Sequence, residues 1–168
     1  MSKGNGKIKV GGKIVEHGRV YRIFKITEDK NNGELVRVIH YKPYYSSTTN
    51  GADVICSIPE SSLEDANIRF PTEKTDLIDI ISGLTKTTID EEDLDVISAK
   101  DRLKENDIVV SVEILRTFWY ASKKEEGFTK SKRDVLGLAF ERVVEEIALV
   151  NGVTLTKARE EIEVALGG

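Results

Sequence analysis

Cysteine is almost absent: Cys56 is the only one in 168 residues. A single thiol excludes a disulfide scaffold and a thiolate zinc site, and it suits a reducing compartment. Histidine occurs only at His17 and His40, methionine only at Met1 and tryptophan only at Trp119. That leaves little material for a histidine-built metal centre. No apolar run approaches the roughly 18–20 residues of a membrane span. The opening MSKGNGKIKV carries charge but none of the apolar stretch of a secretory leader, so the chain is expected in the cytosol. It is not short of apolar residues, which make up 39%. That is enough for a core and excludes a wholly disordered chain.

Strong charge of one sign is also lacking, since the formal net charge is −4. The distribution, however, is uneven. Residues 1–45 hold 10 Lys and Arg against 4 Asp and Glu; residues 46–95 hold 3 against 12; residues 96–168 hold 12 against 13. A strongly basic nucleic-acid binder is excluded. Any contact with phosphate has to come from a local patch, because the acidic middle repels it.

The first 70 residues read as β. KIVEH (13–17), VYRIFKIT (20–27), ELVRVIHYK (34–42) and ADVICSI (52–58) are rich in β-branched and aromatic residues and partly alternate. His17-Gly18 marks a turn, and Asn32-Gly33 is a strong hairpin signal because both residues accept positive φ. PYYSSTTNG (43–51) is a polar loop. Short strands this closely spaced predict a small, strongly bent barrel of the SH3 or Tudor type. After Pro71 the period changes to that of helices. Thr72 is a candidate N-cap for EKTDLIDIISGL, and Thr88 and Glu91 form a T-x-x-E capping box for a second helix. Asp107 can cap a third, through Val109, Val112, Leu115, Phe118 and Trp119. A long helix starts at Thr129 or Ser131 and stops at Asn151-Gly152, and Thr154 caps a last one. The predicted class is α+β: a small SH3/Tudor-like β-barrel over residues 1–72, then an all-α helical domain over 73–168.

Few residues carry chemistry. His17 and His40 have no visible Ser/Asp or Cys partner pattern. Cys56 lies mid-strand with nothing basic adjoining it, so it reads as a structural thiol. Asp90-Glu91-Glu92-Asp93 with Asp95 lacks the glycine and spacing of an EF-hand loop and reads as a solvated linker or acidic helix start. No dinucleotide or Walker motif occurs. Neither an enzyme nor a bound cofactor is expected. The remaining signal is basic: Lys123, Lys124, Lys130, Lys132 and Arg133 converge around one interhelical turn beside a helix N-terminus, a place that holds phosphate well. A solvated charged corner is the competing reading.

The chain resembles the CarD-like (CarD/CdnL) family of bacterial transcription regulators. VGGKIVEHGRVYRI (10–23) is similar to that family's V-G-D-x-V-x-Y-P-x-H-G-x-G-x-I opening, and CSIPESSLEDANIR (56–69) to its V-P-x-x-N-A-x-x-x-G-L-R segment. Residues 106–166 resemble its G-D-x-x-x-V-A-E-V-V-R-D-L stretch, followed by a turn and a closing E-I-A-L-x-x-G-x-S/T helix pair. The order and spacing carry the likeness over about 155 residues. The resemblance implies a Tudor-like N-terminal domain, shared with the transcription-repair coupling factor, that binds the RNA polymerase β subunit. It also implies a helical domain that contacts promoter DNA and tunes the open complex. Polymerase contact is assigned to Arg37, Ile39, Tyr41, Val54 and Cys56, and DNA contact to the five basic residues above. Asp29 and Ser57 stand near the places of the family's polymerase-facing arginines, and Glu92 or Asp93 near that of its fork tryptophan. The expectation is a monomeric, non-enzymatic, nucleoid-associated regulator without a membrane partner. The alternatives are an interaction adaptor that touches no DNA and, more weakly, an RNA-binding module resting on the basic N-terminal half.

Overall fold

The computed structural model describes residues 8–45, 54–85, 95–124 and 126–167. It is α+β and divides into two compact units, Met1–Pro71 and Thr72–Gly168.

The first unit is an antiparallel sheet of β1 (Lys13–Glu16), β2 (Arg19–Asn31), β3 (Glu34–Pro43) and β4 (Cys56–Pro59), in that spatial order. Both two-residue turns form as the sequence dictates. His17 and Gly18 have φ of 49° and 72°, and Asn32 and Gly33 have φ of 51° and 85°. These paired positive values match the right-handed twist of the strands they join. An irregularity at Phe24 shifts the register between Ile23 and Lys25, and such a bulge sharpens the bend. One face carries a core cluster of Ile14, Ile23, Ile39, Tyr41 and Ile68, with Ile26, Cys56 and Ile58 packed around them, while the equally buried pair Val15 and Val20 alternates onto the other face. The sheet is open, not closed into the expected barrel. After β4 and a 3-10 turn (Glu60–Ser62), the chain returns to β1, where Val15 and Arg69 exchange backbone hydrogen bonds of 2.7 and 3.0 Å.

The second unit contains α1 (Lys74–Ser82), α2 (Val96–Leu103), α3 (Ile108–Lys124), α4 (Lys130–Asn151) and α5 (Leu155–Ala165). No strand occurs among its described residues. Local caps explain most boundaries. Asp95 accepts from the Ser98 N–H, Thr129 from Lys132 and Thr154 from Lys157, and Gly152 ends α4 with φ of 65°. Asp107 accepts from the Val109 N–H at 2.9 Å. Thr72 is not a cap, because α1 starts after Glu73 with no side-chain cap. Its N–H and hydroxyl both donate instead to Glu146 Oε1, at 2.9 and 2.8 Å. The proposed Thr88–Glu91 box and the run Asp90–Asp93 lie outside the described residues. No described helix is long and apolar enough to cross a membrane.

Candidate functional site

The basic corner is built by two helices and the turn between them. Lys123 and Lys124 close the last turn of α3, where cations suit the helix dipole. Gly127 turns the chain with φ of 80°. Phe128 is buried edge-on against Phe118, 6.5 Å between ring centres, and so fixes the turn. Thr129 then caps α4, whose first turn carries Lys130, Lys132 and Arg133 and no acid. Basic residues there oppose the dipole, so local stability does not account for them. Lys130 reaches Asp134 at 3.9 Å, but both side chains are largely exposed and such a pair contributes little. All five basic residues thus lie at one end of the α3–α4 pair.

An aromatic stack supports that corner. Trp119 lies over Phe140, 6.2 Å between centres and 21° between planes. Lys123 Nζ sits 4.8 Å from the Trp119 ring centre, and the Arg159 guanidinium 5.9 Å from that of Phe140. Arg159 also pairs with Glu141. Trp119 therefore ties α3 to α4 while it holds one of the basic residues in place. Arg142 of α4 donates to the Leu103 carbonyl at the end of α2, and burial lowers its pKa.

The residues assigned to polymerase contact divide by face. Arg37 pairs with Glu60 at 2.9 Å and remains partly exposed. Ile39 and Tyr41 are 0% and 3% exposed, so their side chains belong to the core and cannot form a contact surface. Tyr41 donates its hydroxyl to Glu16 Oε2 at 3.0 Å, and its pKa is driven far up by burial and then by the Glu16 charge. The Cys56 thiol is pushed up by burial and by Glu16, which makes it a poor nucleophile. Val54, by contrast, is 61% exposed, and its neighbour Ile55, unmarked in the sequence reading, is 63% exposed. Both precede β4, the edge strand of the sheet.

The histidines also part company. His17 sits in the β1–β2 turn. His40 bridges strands: its Nε2 is 2.9 Å from Thr27 Oγ1 and its Nδ1 2.7 Å from Ser57 Oγ. Strand alternation is the only signal in the sequence that could have grouped these three. Among the described residues no cluster of three or more His, Cys, Asp or Glu could hold a metal. Arg102 and Glu113, paired at 2.7 Å, are among the residues that line a groove of 390 Å³ on the helical unit.

No protein-family model matches the chain, and no curated protein matches it.

Proposed function

We propose that this protein is a transcription regulator that bridges RNA polymerase and promoter DNA, as the CarD-like resemblance implies. The observation that carries the reading is the first turn of α4: three cations and no acid at a helix start, beside Lys123 and Lys124. Such a corner costs the helix stability and suits a polyanion. The edge strand β4, with Val54 and Ile55 exposed beside it, suits addition of a polymerase β-subunit strand. Main-chain pairing of that kind would run along β4 and needs neither Ile39 nor Tyr41, which lie buried on the interior strand β3. The return of Arg69 to β1 after a 3-10 turn is compatible with a Tudor-like barrel. A carboxylate cannot replace a base-unstacking wedge, so the Glu92–Asp93 region leaves the DNA contact to phosphates alone.

The test is to change Lys130, Lys132 and Arg133 together to Ala and titrate promoter DNA against salt. Each lost phosphate contact should flatten the log–log slope by about 0.9, almost uniformly across DNA sequences. Unchanged affinity and slope would overturn the DNA role and leave the adaptor reading in its place.

A further inference from the structure

The face of the N-terminal sheet opposite Ile14, Ile23 and Ile39 is buried at one end, where Val15 pairs with Val20, carries Asp29 and Glu34 at the other, and gathers cations between them. The register sets Lys13 of β1 opposite Arg22 of β2, and Arg22 opposite Lys42 of β3. Directly paired residues share a face, so three cations form one row across three strands. In the next row Lys25 faces His40, and His40 faces Ser57. Like charges directly opposite one another destabilise a sheet. Among the described residues no carboxylate pairs with Arg22, Lys25 or Lys42.

Local contacts accommodate this row without neutralising it. Lys13 Nζ donates to the Gly11 carbonyl at 2.8 Å and lies 5.0 Å from the Tyr44 ring centre. Burial, and then the Arg22 charge, lowers the Lys13 pKa. Lys42 Nζ lies 5.5 Å from the centre of Phe24, the ring displaced by the bulge, and Phe24 lies 6.3 Å from His40. Cations, rings and hydroxyls therefore neighbour one another on one face of a bent sheet.

We propose that this face binds single-stranded RNA. Arg22, Lys25 and Lys42 take the phosphates. Phe24 and His40 offer stacking surfaces, which every base can use. The Thr27–His40–Ser57 chain places donors and acceptors where a 2′-hydroxyl, absent from DNA, is read. An acidic peptide would match the charge but leave the rings and hydroxyls unused. None of these residues belongs to the basic corner of the helical unit, so this site stands or falls apart from the DNA reading.

The experiment is anisotropy with the full chain and labelled 12-nucleotide oligouridine, set against an oligothymidine strand of the same length and a duplex. RNA should bind several-fold tighter than either. Changing Arg22, Lys25 and Lys42 together to Gln should weaken binding at least tenfold and flatten the salt slope by about 2, at about 0.7 per contact on a single strand. The melting temperature should hold or rise as the repulsion is relieved. Phe24→Leu should weaken binding roughly tenfold through lost stacking, while the Lys130, Lys132 and Arg133 variant should keep full RNA affinity. If the triple Gln variant unfolds, Lys25→Gln alone must flatten the slope by about 0.7. Absence of RNA binding, equal binding of the DNA strand, equal competition by polyglutamate, or an unchanged slope in the cation variants would overturn the proposal.

Discussion

Tyr41 enters the core of the sheet unit with its hydroxyl still tied to Glu16. Its folded pKa lies above that of the unfolded chain, because burial and the Glu16 charge both disfavour the phenolate. Below the ordinary tyrosine pKa, about 10, both states are protonated and stability is full. As pH rises above it, the unfolded chain releases a proton that the folded chain keeps, and stability falls. Denaturant melts at pH 9 and pH 11, followed by circular dichroism, should show that loss, and Tyr41→Phe should reduce it. Glu146 is the counterpart in the helical unit: 1% exposed, it accepts both the N–H and the hydroxyl of Thr72. Glu146→Ala leaves those donors without their acceptor and should cost roughly 2–3 kcal/mol, read as a lower denaturation midpoint. Thr72→Ser, which keeps both donors, should cost much less.

At the scale of elements, the proposed DNA role of α4 sets binding against stability. The Lys130, Lys132 and Arg133 triple Ala variant should melt slightly higher than the parent, because it removes charge that opposes the helix dipole, while it loses DNA affinity. A lower melting temperature would make these residues structural. In the β2–β3 hairpin, Gly33→Ala should cost about 1 kcal/mol through backbone strain alone, since φ is 85° and nothing lies within 4 Å of an added Cβ. Denaturation midpoints check both. These features were legible in the sequence because their causes are local: Asn32-Gly33, Thr129, Thr154 and Gly152 act on the residues beside them. Thr72 was not, because its partner Glu146 is 74 residues away. The face of β3 was not legible either. Leu35, Arg37, Ile39 and Tyr41 alternate with Val36, Val38, His40 and Lys42, and both sets mix apolar with polar. Packing, not pattern, places Ile39 and Tyr41 inside, and so removes two of the five residues assigned to polymerase contact. The basic corner was readable because a short turn keeps its members close in the chain.

For the whole molecule the boundary between the units decides how it can be divided. A cut after Thr85 would strip α1 and Thr72 from the unit that holds Glu146. Residues 72–168 should therefore melt cooperatively, and residues 86–168 should not. On the functional reading, residues 1–71 should retain the polymerase β lobe in a pull-down and 72–168 should not. Capture by the second fragment alone would reverse the two roles. On the same reading phosphate contacts alone would carry the DNA binding, so the full chain should leave the lifetime of an open promoter complex nearly unchanged.

The sheet also sets an order of events in time. Its strands stand in space as they stand in the chain, and the first two connections are two-residue turns, His17-Gly18 and Asn32-Gly33. Such pairings close small loops, and low contact order makes folding fast. The Val15–Arg69 bridge instead joins the two ends of the unit, so it has to wait for everything between. Stopped-flow measurements should find that Gly33→Ala mainly slows folding, while Arg69→Pro, which deletes the bridging N–H, mainly speeds unfolding.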